Sequence, residues 1–258
     1  LGGNVITVHL VIPDPHAHPE FNNDRADWVG QLIVDLKPDV VINLGDMWDL
    51  PSFSGYDKGK KSFQGRSYRK DLDAGLDFDE RLWAPIRKAK KKRPRGIFFE
   101  GNHEERMKRA LELTPELEGT MGFKDFQLDR NYDDVIQYEG QTPGVLEVDG
   151  ITYAHFFVSG VMGRAVGGEH PAYSLLTKQF QSATCGHIHV YDHCVRTDAS
   201  GKRLNGLVAG VYQDYHSPWA GEVNKLWTRG VFIKRNVEDG DYDLQFVSLA
   251  QLKKEYGK

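Results

Sequence analysis

Five apolar runs in this chain each meet a turn carrying aspartate, asparagine or histidine, and no other feature constrains the fold as much. Val5 to Ile12 leads to Asp14-Pro15-His16, Val40 to Leu44 to Gly45-Asp46, and Gly96 to Phe99 to Gly101-Asn102-His103-Glu104. Later, Ile151 to Phe157 contains Ala154-His155, and Ala183 to His187 runs into Gly186-His187-Ile188-His189. Strands buried on both faces read as continuous apolar runs, and ligands of open α/β sheets gather at the carboxyl ends of strands. The five turns supply hard oxygen and imidazole donors without a thiolate, a set suited to Mn²⁺, Fe or Zn²⁺.

Helical patterns separate the early runs. Arg25 to Leu36 has a stripe of Trp28, Leu32, Ile33 and Leu36, with Asp24 as the expected cap and Pro38 as the break. Strand, helix, strand implies a parallel pair with a right-handed crossover. Leu72 to Lys92 is a second expected helix, kinked or divided at Pro85. A third runs from Glu105 to about Leu113, and one more covers roughly Ala172 to Phe180. From Val135 onward short strand candidates dominate, with hairpin turns at 147–151 and 197–201 and a last antiparallel pair at 231–233 and 242–249. The whole reads as one α/β domain over 1–258: two mixed sheets face to face, helices outside, four layers in an α-β-β-α sandwich.

The stretch from Met47 to Asp71 is irregular, and loops of this length in compact domains are functional or disordered. It mixes Lys58, Lys60, Lys61, Arg66, Arg69 and Lys70 with Phe53, Tyr56, Phe63 and Tyr68. That mixture suits a phosphate-rich or stacked substrate; a solvated surface loop fits it equally. The basic run from Arg87 to Arg95 fits a solvated helix end or a nucleic-acid contact.

The net charge of −4 argues against wholesale electrostatic binding of nucleic acid without excluding a local patch. Two cysteines, Cys185 and Cys194, are too few for a disulfide framework, so a reducing, cytoplasmic setting is expected. Val5 to Pro13 is too short to span a bilayer and lacks the start and cleavage site of a secretory signal. No membrane association is expected. The first residue is Leu1 rather than Met, and a trimmed or replaced start is the expectation.

Taken singly, each turn has a plainer explanation. Asp14 and Asp46 could cap helices, Asn102 could be a turn residue, and His16 or His155 could be ordinary histidines. His187 and His189, two apart on a strand-like stretch, would point the same way. The five turns in this order, from Asp14 to His189, resemble the metallophosphoesterase (calcineurin-like) superfamily. Its bacterial and phage-encoded members are similar also around Gly206-Leu207-Val208-Ala209-Gly210.

The resemblance implies a dinuclear centre on an α-β-β-α sandwich. Asp14, His16 and His189 would hold one metal; Asn102, His155 and His187 would hold the other; Asp46 would bridge them. Mn²⁺ is the expected ion, with Fe, Zn²⁺ or Ni²⁺ as alternatives. His103 would protonate the leaving oxygen or steady the phosphoryl group. Protein-phosphatase members carry Asp-Arg-Gly after the second motif and Arg before the third, to clamp a terminal phosphate. This chain has Asp49-Leu50-Pro51 and Glu100 there, which lowers the expectation of a phosphoprotein phosphatase. The expected function is a phosphodiesterase on a nucleotide or nucleic acid, with Lys58, Lys60 and Lys61 as candidate substrate contacts and 47–71 as a lid. A phosphomonoesterase is the alternative, and a silent interaction module the third reading. His18 and His216 receive no reliable placement.

Overall fold

A computed structural model describes residues 6–90 and 92–257. Val5 and Lys91, expected in the first strand and the basic run, lie outside them. In chain order the early elements are β1 (Thr7–Ile12), α1 (Asp24–Leu36), β2 (Val40–Asn43), α2 (Tyr68–Ala89), β3 (Arg95–Phe99), α3 (Glu105–Leu113) and β4 (Asp134–Ile136). Then come β5 (Leu146–Val148), β6 (Ile151–Tyr153), β7 (Val158–Ser159), β8 (Arg164–Ala165), α4 (Pro171–Gln179), β9 (Ala183–Cys185), β10 (Tyr191–Thr197) and β11 (Arg203–Ala209). The chain closes with β12 (Gly230–Glu238), β13 (Asp241–Ser248) and α5 (Leu249–Tyr256).

The strands form two mixed sheets and a short β7–β8 ribbon. The first sheet has the order β13-β12-β1-β2-β3-β4, with β1 to β4 parallel and β12 and β13 antiparallel at one side. The second runs β10-β11-β9-β6-β5, with β9 parallel to β6 and β11. Val11, Ile42, Leu44, Ile97 and Phe99 of the first meet Val148, Ile151, Tyr153 and Leu207 of the second in one apolar cluster. On the other face of the first sheet, Leu10, Val41 and Phe98 pack with Trp28, Leu32, Phe78, Leu82 and Leu252 from the helices. Ala172 and Leu175 of α4 cover Ala183, Cys185 and Val208. Among the described residues no helix is long and apolar enough to cross a membrane.

Several local expectations change. The position before α1 is Asn23, not Asp24, and its amide does not cap the helix. Instead Asn23 Nδ2 donates to Ala74 O (2.8 Å) and Asp77 Oδ2 (2.9 Å) of α2. Helix α2 runs through Pro85 undivided. An internal proline costs about 3 kcal/mol, but Phe78, Leu82, Trp83 and Ile86 are buried on the same helix, each contributing ~1.5–3 kcal/mol. The burial wins. The stretch expected to be irregular holds three short 3₁₀ turns at 51–53, 55–57 and 61–63 before α2 begins. Helix α5 was not expected; the last strand stops at Ser248, whose hydroxyl accepts from Gln251 N at 3.2 Å as an N-cap.

A polar network crosses the apolar layer between the sheets. His9 Nδ1 lies 2.8 Å from Tyr153 Oη and Nε2 lies 2.9 Å from Asp149 Oδ2. Lys234, fully buried, donates to Tyr153 Oη (3.1 Å) and Thr184 Oγ1 (2.5 Å) and sits 4.4 Å from the Tyr153 and Tyr242 ring centres. Burial pushes the Lys234 ammonium well below the usual lysine range. Burial likewise lowers His9 to about 4, against the pull of Asp149 and with Lys234 adding to the drop. An unfolded histidine takes its proton near 6.5, so between about 6.5 and 4 the unfolded state binds the extra proton and stability falls as pH falls. Between pH 7 and 4.5 wild type should lose on the order of 2 kcal/mol more than His9→Gln. Urea unfolding at both pH values measures this; equal losses would mean His9 protonates in place.

Candidate metal centre

The polar turns all follow the carboxyl ends of parallel strands: β1, β2 and β3 in one sheet, β6 and β9 in the other. Face-to-face packing of the sheets brings the turns together. Asp14, His16, Asp46, His187 and His189 all have positive φ, from 40° to 68°. Non-glycine residues rarely adopt this region, and clustered strain of this kind marks functional sites. Asp14 and Asp46 cap no helix, and His187 and His189 lie beyond the end of β9 in a loop rather than alternating along a strand.

The turns are tied to one another through backbone groups. His16 N donates to Asp46 O (2.9 Å) and Ala17 N to Met47 O (2.7 Å). Glu104, fully buried, accepts from Asp46 N and Gly101 N on Oε2 and from Trp48 N on Oε1, each at 2.9 Å. Gly101 must lack a side chain, since a Cβ there would sit 2.2 Å from Asp46 Oδ1. His103 N donates to the same Asp46 Oδ1 at 2.8 Å. The Asp46 carboxylate is thereby aimed by the backbone N–H of His103, and the Asp46 backbone is held by Glu104 and His16.

Around Asp46 the donors form two groups. In one, His155 Nε2 lies 3.4 Å from Asp46 Oδ2 and 2.9 Å from Asn102 Oδ1, and the His155 and His187 ring centres are 5.1 Å apart. His155 Nδ1 donates to Leu44 O at 2.8 Å, which leaves Nε2 facing the group. In the other, His16 Nε2 meets His189 Nε2 at 3.1 Å, and Asp14 Oδ2 lies 3.8 Å from His189 Nε2. Asp14 Oδ2 also accepts from His187 N at 2.6 Å. Atoms of Asp46, His155 and His187 lie close enough to share one metal ion, and so do atoms of His16, Asp49 and His103. The second of these groups contains Asp49, which sequence reasoning did not select.

These residues fit a cation. Asp14 Oδ1 and His16 Nδ1 are buried without a hydrogen-bond partner. Two carboxylates, Asp14 and Asp46, are buried in one place, and buried charges of one sign need a counter-charge. Burial, with Asp46 nearby, raises the Asp14 carboxyl to about 7 despite His155. Asp46 is opposed by burial too, but His155 and His103 hold it well below the usual range. Burial lowers His187 to about 4 and holds His189 well below the usual histidine range, helped by neighbouring histidines, so both present lone pairs. The 3.1 Å between His16 and His189 nitrogens is near the ~3.3 Å separating two nitrogens that each lie ~2.0–2.1 Å from one tetrahedrally held ion.

His103 stands at the edge of this cluster, Nε2 3.8 Å from Asp46 Oδ2. Its Nδ1 donates to Asp49 O at 2.7 Å, and its Nε2 accepts from Arg106 Nη2 at 2.8 Å. Arg106 and Asp49 were not expected here. Arg106 lies three residues beyond His103 at the start of α3, where i and i+3 share a face; that spacing was the available signal. His18 reaches the rim, Nε2 3.8 Å from Asp49 Oδ2. His216 is exposed. Lys58, Lys60 and Lys61 are exposed on a loop folded onto itself through Arg66 and Asp57 (2.8 Å).

No family model matches this chain, and no curated protein matches it. Among solved structures, a dimetal phosphatase from Danio rerio aligns over 94% of this chain and 96% of its own, at 12% identity and a TM-score of 0.47. A second structure aligns over 95% of this chain and all of its own, at 10% identity and a TM-score of 0.40.

Proposed function

We propose that this chain is a metal-dependent phosphoester hydrolase on an α-β-β-α sandwich of the metallophosphoesterase type, acting on phosphodiesters of nucleotides or nucleic acid. The observation that carries the reading is the convergence of Asp14, His16, Asp46, Asn102, His155, His187 and His189 at neighbouring strand ends, with buried acceptors left unpartnered. Asp14, His16 and His189 would hold one divalent ion, Asn102, His155 and His187 a second, and Asp46 would serve both. Bound there, the ions supply Lewis acidity and an acidified water at neutral pH.

The chain's own residues do the rest. His103, oriented by Asp49 O, would present Nε2 to the leaving oxygen and deliver a proton from it once Arg106 has moved off that nitrogen. Arg106, on that same nitrogen, is within reach of a phosphoryl oxygen beside His103. Asn102 adds a neutral donor, limiting the negative charge that faces an anionic substrate. The stretch 47–71 serves as a lid, and the two free cysteines fit a reducing, cytoplasmic setting.

One observation favours phosphomonoester hydrolysis as a second reading: Arg106 brings a guanidinium to the site, where the family's usual arginines are missing. Turnover of bis(p-nitrophenyl) phosphate against p-nitrophenyl phosphate, with added Mn²⁺, decides between them. Diester preference is expected, and monoester preference moves the second reading to first place. No turnover of either by metal-loaded protein would sink both.

A further inference from the structure

Aromatic rings crowd the rim of the ligand cluster, and the chemistry proposed above uses none of them. Beside His16, Tyr215 stacks on Phe21 with ring centres 3.9 Å apart and planes 5° from parallel. The His18 ring lies 5.4 Å from Phe21 and 5.8 Å from Tyr215. Tyr215 Oη donates to His16 O at 2.9 Å, so the stack is fastened to the backbone of a ligand candidate. Beside His189, Trp227 stands edge-on at 4.5 Å, and Trp219 follows 5.8 Å beyond it. His16 and His189 are themselves in contact, so both aromatic pairs flank one end of the cluster.

Each pair joins a buried ring to an exposed one. Tyr215 and Trp227 are buried, whereas Phe21 is exposed and Trp219 is 73% exposed. The loop bearing Trp219 is braced. Buried Asn224 accepts from Ser217 N (3.0 Å) and donates to Ser217 O (2.8 Å) and Gly221 O (3.0 Å). Gln213 Nε2 donates to Tyr215 O and Ser217 Oγ, and Arg229 donates to Asn224 O and Tyr215 O. The braced loop nevertheless leaves the Trp219 indole in water. Flat, exposed rings beside a phosphate-directed centre match a ligand that joins a phosphate to a π-face.

We infer that Phe21 and Trp219 are stacking platforms for the nucleobases flanking the scissile phosphate, on the His16 and His189 side of the centre. The inference rests on the phosphoester reading and narrows its substrate to base-bearing diesters. It also moves base recognition away from Lys58, Lys60 and Lys61. A platform of this kind accepts any base, because every base offers the same face.

Binding tests it without relying on turnover. The metal-loaded protein is titrated with a thymidine dinucleotide carrying an uncleavable phosphonate link, and with the same backbone lacking bases, by calorimetry and tryptophan fluorescence. The base-bearing ligand should bind roughly 5- to 100-fold more tightly. Trp219→Ala and Phe21→Ala should each remove a large part of that preference, and Trp219→Phe should restore part. Equal affinity for both ligands, or a preference untouched by both alanine variants, overturns the inference. A gain for a single-stranded oligonucleotide, lost in the same variants, assigns the platforms to nucleic acid; no gain assigns them to free dinucleotides. Base-dependent binding without hydrolysis of any ester leaves the platforms standing and removes the esterase reading; hydrolysis without base-dependent binding does the reverse.

Discussion

Replacing His103 with alanine should lower kcat about 10²–10⁴-fold on a nucleoside diester, the usual contribution of a positioned general acid. The same change should cost much less on bis(p-nitrophenyl) phosphate, because p-nitrophenolate leaves without needing a proton. The geometry behind this is specific. His103 Nδ1 is committed to Asp49 O, so only Nε2 is available for proton transfer, and that nitrogen lies 3.8 Å from Asp46 Oδ2 at the edge of the ligand cluster. Arg106 Nη2 occupies it at 2.8 Å and must yield when a leaving oxygen arrives. Metal content is the control: His103 is not among the proposed ligands, so the variant should keep its metal. An equal loss on both substrates, with metal retained, would make His103 a phosphoryl-binding group rather than an acid.

The largest stability effect is expected at Glu104. Its carboxylate accepts three backbone N–H groups from the turns after β2 and β3, and it is fully buried. Each amide left without a partner costs about 1–3 kcal/mol, so Glu104→Ala should destabilise the fold by on the order of 3–9 kcal/mol. Glutamine is no rescue. Its single oxygen can serve Asp46 N and Gly101 N, but its NH₂ then faces Trp48 N–H, donor against donor. Both variants should also bind metal poorly, since Asp46 and Asn102 sit on the turns that Glu104 ties together. Urea unfolding and metal analysis would show this. A loss below about 1 kcal/mol with metal retained would mean that water replaces the carboxylate.

Much of this was legible along the chain, for identifiable reasons. Burial on both faces makes β1, β2 and β3 continuous apolar runs, and a parallel strand ends where its polar turn begins. Asp14, Asp46 and Asn102 could therefore be placed at strand ends from local pattern. The apolar stripe of α1 and the proline after it similarly announced that helix. Such signals are short-range: a period, a cap, a break.

What failed was whatever depends on a partner distant in sequence. The passage of α2 through Pro85 is decided by the apolar face it buries, which outweighs one missing hydrogen bond. His187 and His189 looked like a strand pair, but both have left-handed backbone, which Asp14 from another sheet holds at His187. Glu104 could be read as part of a motif, yet the three amides it binds belong to turns that only the packed sheet brings together. Asp49 and Trp219 carried no local mark of their neighbours, and Arg106 carried only its spacing from His103. Sequence by itself determined which residues stand at strand ends, because the period and hydrophobicity of a strand are local. The packing of one sheet on the other decided which of them meet, because contact between distant turns exists only once the apolar faces between them are buried.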